Sequence, residues 1–286
     1  MKIISFIVSL LLPLMSCAVN PITLPLWGDQ GAPTSNGLTP QDETVENPGW
    51  ISLVAQPELI VYPAENPNGT TLLMCPGGGY YGLAMLHEGK DLAPILNDAG
   101  YNYAIVKYRM PNGHHEVPAD DARQAIKLLK QYAEEWGINP DRIGIGGASA
   151  GGHLASTVAT HQVDKDAIPA FQVLFYPVIS MQYSTTHQGS KDNLLGPKPS
   201  KELIALYSNE LNVTPQTPPA FIALSADDGL VPPRNSIDYF NALNANGVPV
   251  SMHIYPVGEH GWGTKPTFPY HDQWISELLA WLSNLY

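Results

Sequence analysis

Cysteine is almost absent from this chain, basic residues are few, and long apolar runs are missing after the first residues. Only two cysteines, Cys17 and Cys75, occur among 286 residues. That excludes a disulfide framework and any cysteine-rich zinc site. Lys and Arg number 14 against 26 Asp and Glu, a formal charge of −12. The basic footprint that nucleic acid requires is therefore missing, and binding to anionic membranes or polyanions is disfavoured. Beyond the first residues no stretch is apolar for long enough to make a membrane-spanning helix. What is present is core-forming material: 44% hydrophobic residues and only 14% charged ones. A chain of this composition is globular rather than disordered.

The first eighteen residues read as an export signal rather than as part of the fold. Lys2 is followed by the apolar run Ile3 to Leu14 and then by Met15-Ser16-Cys17-Ala18. One positive charge, a short apolar core and small residues describe a secretory leader. Leu14-Met15-Ser16-Cys17 also resembles a bacterial lipobox, so lipidation of Cys17 and simple cleavage near Ala18 both stand as expectations. Either way Cys75 has no partner in the mature chain. The expected location is exported and bacterial: periplasmic, outer-membrane lipoprotein or secreted.

Val19 to Gly49 is rich in Pro, Gly, Asn and Thr and has no period, which predicts an N-terminal arm over the surface of a domain at 50–286. From there strands and helices alternate. Strands are expected at Leu59–Tyr62, Thr70–Cys75, Tyr101–Tyr108, Ile143–Gly146, Phe171–Tyr176, Ala220–Ser225 and Val250–Tyr255. Helices are expected at Lys90–Asp98, Asp120–Trp136 after Pro118, Gly151–Thr160, Lys201–Tyr207, Arg234–Asn246 and from about Gln273 to Asn284. A polar insertion separates Tyr176 from Lys201. This alternation predicts an α/β protein with a mostly parallel sheet covered by helices on both faces. No repeat or linker divides it, and no feature sets an oligomeric state.

The chemistry concentrates in three places. Gly147-Ala148-Ser149-Ala150-Gly151 matches G-x-S-x-G between a predicted strand and a predicted helix. A sharp strand–helix turn lifts the central hydroxyl clear of the sheet, and the helix behind it offers amide donors. A serine needs a base. In this architecture the acid and then the histidine follow the nucleophile along the chain. His260, in Gly258-Glu259-His260-Gly261-Trp262-Gly263, follows one predicted strand; Asp227 and Asp228 follow another. Strand C-terminal ends are where open α/β sheets place their chemistry. The spacing Asp228 to Pro232 favours Asp228 as the acid, with Asp227 as the alternative. Third, Cys75-Pro76-Gly77-Gly78-Gly79-Tyr80 follows a strand, so the amides of Gly78 and Gly79, with that of Ala150, are candidate oxyanion donors. Gly77 to Gly82 also satisfies G-x-G-x-x-G. A dinucleotide site would need that loop to open a helix, so an oxidoreductase is the minor reading.

Tyr80, Tyr81, His87 and Trp262 lie beside these motifs and are candidate pocket residues; packing is the alternative for the aromatics. His114-His115-Glu116 reads as a solvated loop rather than a metal cluster. His153, one turn into the helix, reads as a brace for the elbow. No Cys/His spacing suits a metal, and ester cleavage needs no organic cofactor.

With these residues in view the chain resembles the α/β-hydrolase esterases of the acetylxylan-esterase and feruloyl-esterase-like group. The likeness is carried by Leu24-Pro25-Leu26-Trp27 with Gly31-Ala32-Pro33, the Cys75–Tyr80 loop, His87-Glu88-Gly89, Gly147 to Ala155, Asn193 to Gly196, Asp228 to Pro232 with Asn235-Ser236, and Gly258 to Gly263. Ala148 departs from it, because the group usually carries Phe there. The resemblance implies an α/β-hydrolase fold and a serine esterase that removes short acyl groups, acetyl first, from plant-type polysaccharide or oligosaccharide. An acylated carbohydrate would then be the partner. Feruloyl or broad short-chain esterase activity is the near alternative, and a non-catalytic carbohydrate-binding relative the distant one.

Overall fold

The computed structural model describes residues 20–28 and 31–286. The expected leader, with Lys2 and Cys17, lies outside the described residues.

Eight strands form the main sheet. In chain order they are β1 (Ile22–Pro25), β4 (Glu58–Tyr62), β5 (Thr71–Cys75), β7 (Asn102–Lys107), β8 (Ile143–Ala148), β9 (Gln172–Phe175), β10 (Ala220–Ser225) and β11 (Val250–Tyr255). Their spatial order is β1-β4-β7-β5-β8-β9-β10-β11. From β7 to β11 every pairing is parallel, whereas β4 and β1 add antiparallel pairings at one edge. β5, β7, β8, β9 and β10 are buried along their whole length. A central parallel strand has helices on both faces, so its sequence is continuously apolar rather than alternating. The covering helices are α1 (Leu92–Asp98), α2 (Val117–Gln131), α3 (Ala150–Thr160), α6 (Arg234–Ala245) and α7 (His271–Ser283), each packed on a neighbouring strand. Two further helices, α4 (Gln188–Leu195) and α5 (Lys201–Leu206), lie between β9 and β10.

Several expectations shift at their ends, and some elements are new. The best-patterned helix was expected at Asp120–Trp136; α2 instead runs Val117–Gln131 with Pro118 inside its first turn. Proline fits there because the first-turn N–H groups have no helical acceptor. Trp136 lies beyond the helix and stacks on Tyr132 at 4.7 Å between ring centres. The helix expected from Lys90 starts at Leu92, after a wide turn over Leu86–Lys90. The polar insertion contains α4, whose His187 cap accepts from the Ser190 amide. The arm is partly ordered into strands. Its β1 closes the edge of the main sheet, and its β2 (Thr44–Asn47) joins β3 (Trp50–Ser52) and β6 (Gly82–Ala84) in a separate three-stranded antiparallel sheet.

Candidate active site

Ser149 occupies the single residue between β8 and α3. Its backbone sits at φ 52 and ψ −121. A non-glycine residue there is strained by on the order of 1–3 kcal/mol. The surroundings hold it: the Ser149 amide donates to the Phe175 carbonyl at 3.0 Å, and its carbonyl accepts from Val178 at 3.0 Å and His153 at 3.2 Å. The flanking glycines are steric requirements. A Cβ on Gly147 would overlap the carbonyl of Gly151, and one on Gly151 would overlap the carbonyl of Cys75.

His260 lies on the loop after β11 and Asp228 on the loop after β10. The imidazole Nε2 is 2.9 Å from Ser149 Oγ, and Nδ1 is 2.7 Å from Asp228 Oδ2. A carboxylate only accepts, so Nδ1 carries the proton and Nε2 offers its lone pair to the serine hydroxyl. Asp228 is buried, and its other oxygen accepts from the amides of Leu230 at 3.0 Å and Val231 at 2.9 Å. The alternative acid points elsewhere. Asp227 accepts from the amides of Glu259 at 2.8 Å and Gly258 at 3.2 Å, which pins the histidine loop from behind. The Tyr176 ring backs the imidazole edge-on, 4.7 Å between centres.

The amides of Gly78, Gly79 and Ala150 donate to no protein acceptor among the described residues. Gly78 and Gly79 share one cleft with Ser149 and His260. The glycine loop is tied down on three sides. The Gly77 amide donates to Glu88 Oε2 at 2.9 Å, and Asn193 Nδ2 donates to the Gly79 carbonyl at 2.8 Å. The Tyr80 hydroxyl meets His153 Nδ1 at 2.8 Å. His153 Nε2 lies 2.8 Å from the Tyr207 carbonyl, which can only accept. The proton is therefore on Nε2, and Nδ1 accepts from Tyr80. His153 thus braces the glycine loop against the Tyr207 segment. Burial lowers its pKa to about 4.

The cleft encloses about 620 Å³. Of the four expected pocket residues only His87 lines it. Tyr80 is buried with its hydroxyl spent on His153. Trp262 is buried, stacked on Phe268 at 4.3 Å, with its indole N–H donating to Ser225 Oγ. Tyr81 is half exposed but is not part of the cleft wall. Trp50, Leu86, His187 and Leu230 form the wall instead. Burial lowers the pKa of both His87 and His187. Trp50 and His187 carried no motif, since each reaches the cleft through a short element that pattern does not announce. Elsewhere, His115 is occupied by the Tyr207 hydroxyl at 2.8 Å. No group of three or more His, Cys, Asp or Glu gathers as a metal site among the described residues. The segment after Gly77 enters β6 rather than a helix, which removes the dinucleotide reading.

The strained serine, its relay and the open amides at the strand ends are the layout of one fold family, and comparison agrees. Residues 72–264 match the family described as alpha/beta hydrolase fold. The chain belongs to the α/β-hydrolase family. Within it, an acetylxylan esterase of Xylanibacter ruminicola is 40% identical over 80% of this chain and 48% of its own length. An endo-1,4-beta-xylanase B of Butyrivibrio fibrisolvens is 33% identical over 66% of this chain and 32% of its own. The chain thus spans half or less of the length of these curated relatives. The crystal structure of an acetyl ester-xyloside bifunctional hydrolase from Caldicellulosiruptor lactoaceticus superposes with a TM-score of 0.80 at 33% identity, covering 92% of this chain and 96% of that one. This α/β-hydrolase is therefore related to acetylxylan-esterase-type enzymes, as its motifs implied.

Proposed function

We propose that this α/β-hydrolase is a serine carboxylic ester hydrolase that removes short acyl groups, acetyl foremost, from plant-type polysaccharide or oligosaccharide. The observation that carries the reaction is the continuous relay from Ser149 Oγ through His260 to Asp228, facing an open cleft beside unoccupied amides. Ser149 Oγ attacks the ester carbonyl while His260 Nε2 takes its proton, and Asp228 stabilises the imidazolium. The amides of Gly78, Gly79 and Ala150 receive the oxyanion; one such donor is typically worth about 3 kcal/mol of transition-state stabilisation. Collapse expels the alcohol, protonated by His260, and leaves an acyl-serine. Water, deprotonated by His260, then releases the carboxylic acid and restores Ser149.

The substrate class is supported by what the relatives are named for, acetylxylan and acetyl ester-xyloside. Trp50 on the wall adds an aromatic face of the kind that stacks on a sugar ring. The test compares rates on acetylated xylan, methyl ferulate and simple esters of increasing acyl length, with Ser149→Ala as control. Best turnover on acetylated sugar and none in the variant is expected. Preference for long acyl chains, or no activity on any acetylated sugar, would defeat the substrate assignment; retained activity in the variant would remove Ser149.

The leader supports export. Mass spectrometry of the mature N-terminus separates its two forms, a diacylglyceryl Cys17 or a start near Val19. An intact Met1 in cells would contradict both.

A further inference from the structure

The His260 loop divides two open spaces. One is the cleft already described. The other, of about 370 Å³, lies on the far flank of the loop and shares His260, Gly261 and Lys265 with the first. Gly261, which brings no side chain, lies on the boundary between them. It is held from one side by Lys265 Nζ, which donates to the Gly261 carbonyl at 2.7 Å. The far space is floored by the buried Trp262–Phe268 stack and rimmed by Glu259 and Thr267. Both rim side chains are exposed, and neither makes a hydrogen bond or ion pair among the described residues. Glu259 is one of few non-glycine residues at positive φ, 54, and its backbone N–H donates to Asp227 Oδ1 at 2.8 Å. That conformation sets the direction in which its side chain leaves the backbone at the rim. Val257 and Pro269 add exposed aliphatic surface.

We propose that this second groove is a glycosyl subsite. It would hold neutral, hydroxyl-rich sugar units next to the acylated one, so that an oligosaccharide crosses the boundary at Gly261 with its ester beside Ser149. The available groups suit that ligand. A free carboxylate accepts from two neighbouring sugar hydroxyls, a threonine hydroxyl donates or accepts, and the aliphatic rim meets the C–H face of a ring. Glu259 and Asp227 bias the groove against acidic sugars. The inference rests on the carbohydrate-ester reading of the cleft and adds a length requirement to it.

Acetylated xylose and acetylated xylotetraose, compared in the wild type, Glu259→Ala and Thr267→Ala, provide the test. Turnover of 4-nitrophenyl acetate reports that each variant keeps its catalytic apparatus. The wild type is expected to show a KM about 10-fold lower for the tetramer ester than for the monomer ester. In the variants that advantage should shrink to within about 3-fold, with kcat and 4-nitrophenyl acetate turnover unchanged. Sugar-ester turnover with no length advantage, or with an advantage that survives both substitutions, would overturn the subsite alone. Turnover of 4-nitrophenyl acetate with none on either sugar ester would overturn the substrate assignment and the subsite together. A matching fall in 4-nitrophenyl acetate turnover would show that the rim acts on the relay instead, and would also count against the subsite.

Discussion

Asp228 gives one carboxylate oxygen to His260 and the other to two backbone amides, while its neighbour Asp227 spends both oxygens on the amides of Gly258 and Glu259. Adjacent residues on a loop point in different directions, so the two acids act on opposite sides of the histidine loop. Replacing Asp228 by Asn removes the charge that stabilises the imidazolium and can present an N–H where Nδ1 needs an acceptor. A fall in kcat of about 10⁴-fold is expected on a chromogenic acetate ester. Asp227→Asn keeps one acceptor for the loop amides and loses only part of the anchor, so a loss of about 10-fold or less is expected. A larger loss for Asp227 than for Asp228 would reverse the assignment. Spacing alone favoured Asp228 and left Asp227 open, because it does not say which carboxylate turns inward. Ser149 was easier to read, since its turn imposes glycine at fixed neighbouring positions. Tyr80 and Trp262 misled for the opposite reason. Nearness in sequence to a motif says nothing about side-chain direction, and both point into the core.

At the scale of elements, one buried carboxylate joins three of them. Glu88, in the turn before α1, accepts from the Gly77 amide with Oε2 and from the Tyr176 hydroxyl at 2.8 Å with Oε1. Gly77 belongs to the loop that presents the open amides, and Tyr176, just after β9, backs His260. Glu88→Ala would leave two buried donors without an acceptor, a cost of about 1–3 kcal/mol each, and would free the amides relative to the base. For a small acetate ester, kcat should fall about 10- to 100-fold with KM changed less than about 3-fold. A rise in KM alone would show that Glu88 shapes the cleft rather than the reacting geometry. How legible the elements were follows from how local their causes are. β10 matches its expected bounds because a continuous buried run ends where the chain meets Asp227 and Asp228, and β11, only partly buried, matches because its β-branched and aromatic residues stop at Pro256. The small sheet of β2, β3 and β6 escaped notice because its strands are three or four residues long and the pairing of β3 with β6 is non-local. β2 is also exposed along its whole length, which leaves no apolar period to read. Trp50 reaches the cleft through that sheet, so the missed wall and the missed element share one cause.

For the whole molecule, acid is the condition that bears most directly on folding, because the histidines with shifted pKa all move the same way. Burial lowers His87, His153, His161 and His187, each being easier to protonate in the unfolded chain than in the folded one. Asp120 and Glu210 act in the opposite sense, since burial raises their carboxyls and the folded state then takes up protons more readily. His153 dominates. Its pKa of about 4, against 6.5 for the free side chain, means that above pH 6.5 both states are neutral and its contribution to stability is fully present. Below that the unfolded state binds the extra proton, so stability drops by up to about 1.4 kcal/mol per pH unit until the folded imidazole also titrates near pH 4. Summed over the window, the loss is on the order of 3 kcal/mol. The same protonation would place a hydrogen on Nδ1, where Tyr80 donates, and so would strain the brace behind the glycine loop. Urea unfolding of the wild type and of His153→Gln, followed from pH 7 to pH 4.5, separates this residue from the rest. The variant should be less stable at pH 7, and its stability should decline less steeply with acid. The gap between the two should narrow by about 2 kcal/mol across that range; parallel curves would mean that the acid sensitivity of the molecule lies elsewhere.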